Sequence, residues 1–185
     1  RSERSPDFVE RKGLASSFWL SAAAFVGGFV FSLWYVHAYY LGDAQLYTLF
    51  YDSLRDTSIE YWAYLQNIYL GSAEPFYRWV IGPAAYFGVD RTLYLSFWNG
   101  ILVAAICFCL YKYRCGIVFS SLLLSNYYLL VILGPAERLK FAYICLILSA
   151  AVDGIKLRFV LSAISIFFHT QALVQFSSAA GFWGA

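Results

Sequence analysis

The chain has 185 residues, of which 61% are hydrophobic, 21% aromatic and only 13% charged, with a formal net charge of +2. A water-soluble domain of this length has too little interior to hide that apolar share, so the composition excludes an ordinary soluble protein and points to a membrane. The few cations flank apolar runs and form no basic stretch with interleaved stacking residues, which leaves nucleic acid without support as a partner.

Uncharged runs at 13–42, 92–111, 115–136 and 159–185 each reach the roughly 20 apolar residues that a spanning helix needs. The first follows Arg1, Arg4, Arg11 and Lys12, which would hold that end in the cytoplasm. It is too long for a secretory signal and lacks the small-residue cleavage pattern, so 13–40 reads as a retained first span. The chain then turns polar and aromatic, "LGDAQLYTLFYDSLRDTSIEYWAYLQNIYLGSAEP", with signals for two short helices. Asp43 is placed to cap the first, Thr57 with Glu60 makes a capping box for the second, and Gly71 can close it. Neither is apolar enough to span. Tyr and Trp favour the headgroup level, so 42–90 is expected to form a helical loop domain on the outer membrane surface.

Within that region "EPFYRWVIGPAAYFGVD" has a helix start at Pro75 and a stop at Gly88, about 20 Å of helix at 1.5 Å per residue. Pro83 interrupts it, so an interfacial or re-entrant helix is expected instead of a span. Residues 91–185 supply the remaining spans. The fourth is expected from Pro135, with Glu137 in its first turn, to near Gly154. The fifth starts near Arg158, and the rise from there places His169 about 16 Å into the bilayer.

Arg1, Arg4, Arg11, Lys12, Lys112, Arg114, Lys156 and Arg158 then fall inside, against Arg55, Arg78, Arg91, Arg138 and Lys140 outside. That eight-to-five tally leans toward five spans with the aromatic loop domain outside; if the Pro75 segment crossed, it would be about seven to six. The expected architecture is one all-α, polytopic transmembrane domain over 1–185. It has about five spans, an interfacial or re-entrant helix and a short extracytoplasmic helical loop domain. The chain lacks an initial Met and stops inside an uncharged run, so it reads as a fragment whose start and C-terminal part are missing.

An ionisable side chain within a membrane needs a cavity, a partner or a task, which singles out His169; hydrogen-bonded packing between helices is the bland alternative. Ser165, Gln171, Gln175 and Ser178 suggest that parts of its helix face protein or water. Arg138 has the planar fork that grips a phosphate or diphosphate, and Glu137 could orient it. Lys140 beside it reads as a cation snorkelling to lipid phosphates or contacting substrate. Asp43 and Tyr47 lie at helical spacing. Pro75 forces Glu74 out of helical geometry, leaving a carboxylate free to act as a general base. Asp52, Asp56 and Glu60 recur every four residues and read as a solvated acidic face. Cys107, Cys109, Cys115 and Cys145 have no paired framework and read as small buried apolar residues. No HExxH, P-loop or dinucleotide glycine motif occurs, so no metal or cofactor is expected.

A first span followed by "GDAQLYTLFYD", then "EPFYRW" before a span ending in "YKYR", then "ERLKFAYICLILSA" and "FFHTQALV", resembles the EpsG-like branch of Wzy-type exopolysaccharide and O-antigen polymerases. The resemblance covers nearly all of the chain, carried by the order and spacing of short motifs. Here Leu139 and Lys140 follow Arg138, where many members have a glutamine after the arginine.

The resemblance implies a metal-independent membrane glycosyltransferase at the outer face of the bacterial cytoplasmic membrane. Its substrate would be a polyprenyl-diphosphate-linked oligosaccharide, passed to a growing glycan; membrane lipids and other polysaccharide-assembly proteins are its implied partners. Arg138, His169 and Glu74 become the expected catalytic residues, and Asp43, Tyr47 and Lys140 the expected substrate contacts. A transporter or flippase of lipid-linked sugars, or a non-catalytic assembly subunit, are the alternatives.

Overall fold

The computed structural model describes residues 6–39, 42–72 and 74–169, with side chains described from residue 17 onward. The long helices α1 (Pro6–Ala38) and α5 (Arg91–Lys112) lie side by side. Their stretches Ser17–Ala38 and Arg91–Lys112 are long and apolar enough to cross a membrane, by length and composition. Glycines let the two backbones approach. A Cβ on Gly100 would stand 2.9 Å from both the Phe25 ring and the Phe25 carbonyl oxygen, and one on Gly28 would stand 2.9 Å from the Val103 side chain. Across this contact the fully buried Asn99 amide donates to Ser32 Oγ at 2.5 Å.

Between the long helices the chain builds a cluster of short ones: α2 (Asp43–Arg55), a 3-10 turn (Ile59–Tyr61), α3 (Trp62–Leu70) and α4 (Pro75–Tyr86). Two of the expected caps are different. Gly42, at φ 63°, precedes α2, so Asp43 stands in the first helical turn, where the helix dipole still favours its charge. The Thr57 hydroxyl donates back to the Ser53 carbonyl at 2.7 Å, and the capping box with Glu60 does not form. Gly71 does close α3, in the left-handed conformation at φ 57°, with its N–H on the Asn67 carbonyl. Helix α4 begins at Pro75 and ends just before Gly88, as the sequence predicts.

The apolar faces of these helices make one core. Tyr47, Phe50, Tyr51 and Leu54 of α2 meet Tyr77, Ile81 and Ala85 of α4. Trp62 lies across Gly82, where a Cβ would sit only 2.2 Å from the indole. Two later helices close the core with Phe141 and Phe168.

Beyond α5, the run at 115–136 does not form one span. It is divided into α6 (Ile117–Leu124) and α7 (Tyr127–Leu133), because the Asn126 side chain accepts the Tyr128 N–H at 2.8 Å and starts a new helix. Helix α8 (Glu137–Ala151) starts two residues after Pro135 and packs on α5. Helix α9 (Ile155–Phe168) returns along α8. It ends at Phe168, so His169 stands in extended backbone just past a helix and not in the middle of one. Gln171, Gln175, Ser178 and the rest of the expected fifth span lie outside the described residues. Among the described residues all regular structure is helical, in agreement with the all-α expectation. Large apolar side chains stand exposed on α1 (Trp19, Trp34), α6 (Ile117, Val118) and α9 (Ile155, Phe159).

Neither glycine of the α1–α5 contact has room for a side chain. A methyl on Gly28 meets the Val103 Cβ, which is fixed to its backbone and cannot rotate away, and one on Gly100 meets the Phe25 ring and carbonyl oxygen. Gly28→Ala and Gly100→Ala are each expected to lower the unfolding free energy by about 1–3 kcal/mol. Thermal unfolding of the detergent-solubilised chain checks this, and an unchanged midpoint in both variants would contradict so close an approach.

Candidate active site

Helices α4 and α8 meet through two neighbouring polar pairs. Glu74, at the entrance to α4, accepts a hydrogen bond from Arg138 Nη1 at 2.5 Å. One turn along α4, the Tyr77 hydroxyl donates to Glu137 Oε2 at 2.7 Å. The first pair is possible because Pro75 holds Glu74 in extended geometry (φ −62°, ψ 115°), with a side chain that caps nothing in its own helix.

The other carboxylate oxygen of Glu74 lies 2.7 Å from His169 Nδ1. An ionised carboxylate only accepts, so Nδ1 carries a proton, and in the neutral imidazole Nε2 is then the nitrogen that can accept one. Arg138 also uses Nε to donate to the Tyr47 hydroxyl at 2.8 Å, and its guanidinium carbon lies 5.9 Å from the Tyr47 ring centre. The Glu74, Arg138 and His169 side chains are 12%, 20% and 18% exposed, so the cluster is sheltered but reachable.

Electrostatics follow from these contacts. Burial pushes the Glu74 carboxyl up, but the hydrogen bond from His169 and the charge and hydrogen bond of Arg138 outweigh it and hold the group below its ordinary value. Burial raises the Tyr47 phenol to about 12 despite the opposing pull of Arg138, so it stays neutral at physiological pH. A neutral phenol accepts from the guanidinium and keeps its own proton to donate.

No family model matches the chain, and neither does any curated protein or solved structure.

Of the six expected site residues, the fold gathers four: Glu74, Tyr47, Arg138 and His169. Asp43 is exposed one turn before Tyr47 and acts on its hydroxyl through charge. Lys140 stands apart and corrects the expectation of a snorkelling or substrate-binding cation. It is fully buried, its Nζ donating to the Leu133 carbonyl at 3.2 Å. The end of α7 frees that carbonyl, which also accepts from Asn99 Nδ2 at 2.8 Å, and Glu137 supplies the countercharge. Glu137 does not orient Arg138 directly: it turns into the core, where it pairs with Arg91 and Tyr77. Asp52, Asp56 and Glu60 are exposed, in keeping with a solvated acidic face. The four cysteines are half-buried thiols without disulfides. Among the described residues, no three His, Cys, Asp or Glu side chains gather as a metal site would require.

Sequence reasoning missed Gln66, Tyr77 and Arg91. Gln66 is fully buried, and its Nε2 donates to the Glu74 carbonyl at 2.8 Å and to Ser72 Oγ at 3.2 Å, tying down the segment that carries the carboxylate. Its position one turn after Trp62 was the available signal, since both fall on the inward face of α3. Tyr77 is hidden among many tyrosines, and Arg91 after Asp90 has the look of a charged helix flank.

Two outcomes test this geometry. Because the Glu74 value is lowered on folding, its stabilisation is present in full above the ordinary value of 4.5 and is lost as pH falls through the lowered folded value. Glu74→Gln removes this contribution, so its unfolding midpoint should change less between about pH 5 and 3 than that of the unchanged chain. Identical slopes would show that the pair is not formed. Glu137→Ala leaves Arg91 and Lys140 without a countercharge and should cost about 3–5 kcal/mol in chemical unfolding. Glu137→Gln, which still accepts from Tyr77, should cost less.

Proposed function

We propose that this chain is the polymerising part of an EpsG-like, Wzy-type membrane glycosyltransferase. It transfers a polyprenyl-diphosphate-linked oligosaccharide to a growing glycan at the outer face of the cytoplasmic membrane. The observation that carries the reading is the meeting of Glu74, Arg138 and His169, which are 64 and 95 residues apart along the chain as measured from Glu74. These are the residues that the family resemblance marks as catalytic, and they arrive from three separate segments.

The chemistry follows from the contacts. An acceptor hydroxyl gives its proton to His169 Nε2 as its oxygen bonds to the anomeric carbon. The bond from that carbon to the diphosphate oxygen breaks, and the electron pair leaves with the polyprenyl diphosphate. Arg138 meets the negative charge that develops there, using guanidinium donors not engaged by Glu74 and Tyr47. Glu74 has both oxygens committed, so its role is to hold the imidazole by Nδ1 and stabilise the cation that forms. The scheme calls on no metal or cofactor.

Multi-pass insertion is supported by the two long apolar helices and by the exposed apolar side chains on α1, α6 and α9. Helices α8 and α9, of 15 and 14 residues, reach about 20 Å each and would complete their crossings with flanking chain. Exposed Trp79, Tyr86 and Phe87 fit an interfacial position for α4. Membrane lipids and polysaccharide-assembly proteins are the surroundings this reading supplies.

The test is Arg138→Lys, which keeps the charge and loses the fork. Polymer is expected to disappear from electrophoretic gels while membrane fractions still contain the protein at normal abundance. Full-length polymer from this variant would overturn the reading.

A further inference from the structure

A polar cavity of about 310 Å³ opens beside α2. Thr48, Asp52 and Arg55 line it from α2, at the i, i+4, i+7 spacing of one helical face. His37 at the end of α1, and Asp90, Arg91 and Thr92 at the start of α5, complete its polar wall.

The lining discriminates among ligands. A phosphate or carboxylate would meet Asp52 and Asp90; a cation would meet Arg55 and Arg91. The two signs balance, so an ion of either charge gains on one side and loses on the other. A neutral, hydroxyl-rich molecule is favoured by both: its vicinal hydroxyls donate to carboxylates and accept from guanidinium forks. Arg91 lines the cavity while one of its terminal nitrogens is held by Glu137, and Asp90 lines it while its carboxylate accepts the Leu93 N–H, so both charges are fixed in place before a partner arrives.

The cavity shares α2 with the active-site cluster and reaches its neighbourhood through one ion pair. Thr48 in the cavity follows Tyr47 in the cluster, and Arg91 in the cavity pairs with Glu137, whose neighbour is Arg138. We infer that this cavity is a saccharide subsite, binding an uncharged sugar unit of the glycan away from the bond being formed. The inference deepens the polymerase reading, on which the identity of the glycan rests. Holding a remote sugar would keep a growing chain on the protein between transfers.

Saturation-transfer NMR on the detergent-solubilised chain tests it without requiring turnover. The probes are the methyl glycosides of glucose, galactose and N-acetylglucosamine. Transfer to at least one is expected, falling at least about fivefold in Asp52→Ala and in Arg55→Ala. Both residues are exposed, so these variants retain the fold. Arg138→Lys, outside the cavity, should leave the signal unchanged. No transfer to any glycoside overturns the subsite. So does transfer that survives both cavity variants, or that only Arg138→Lys abolishes, which would place binding at the active-site cluster alone. Because binding and polymer formation are read separately, a polymerase reading that fails through Arg138→Lys is distinguishable from a subsite that fails here.

Discussion

The pairing of α4 with α8 is the constraint on which the rest depends. Consecutive residues of a helix point about 100° apart, so Glu137 and Arg138 cannot serve the same partner. Glu74 and Tyr77 lie one turn apart and offer partners in two directions. The four groups match in one register. Sliding α8 by one residue would present Leu139 where Arg138 now meets Glu74, leaving a carboxylate without its cation. Burial of Phe141 against Tyr77, with Phe168 stacked on Phe141, reinforces the same alignment from the apolar side.

The two ionic clusters differ at their centres. Glu137 and Lys140 are fully buried; removing such charges from water is costly, and the cost is offset only while every partner is in place. This favours a fixed arrangement. Glu74, Arg138 and His169, like Arg91, keep a small share of their side-chain surface in contact with solvent. A fixed charged core beside a partly exposed cluster suits a site whose groups must be held in place.

Much of this was legible in the sequence, for identifiable reasons. Pro75, Gly71 and Gly88 act locally, and the limits of α3 and α4 follow from them. His169 stood out because an ionisable group in an apolar setting demands a partner, Arg138 for its planar fork at a helix start, and Glu74 because Pro75 holds it out of helical geometry; that Glu74 bonds to both of the others was not legible. The destination of Lys140 was not legible. Whether a lysine reaches outward or inward depends on a carbonyl freed at the end of α7 and on a carboxylate one turn away, and neither is visible in hydropathy. Asn126 was overlooked because one polar residue hardly alters the mean of a 20-residue window, yet it supplies a cap that ends one helix and begins another. The capping box failed because the Thr57 hydroxyl found a nearer acceptor behind it.

Gln66 gives the segment between α3 and α4 an unusual mechanical character. Its amide holds the carbonyl of Glu74 itself, at the far end of the connection, so the carboxylate is positioned from the body of α3 and not by the path of the intervening chain. Placement is thereby uncoupled from loop length. Residues could be added after Gly71 without displacing Glu74, and the surface beside the cluster could change shape while Glu74, Arg138 and His169 stay where they are.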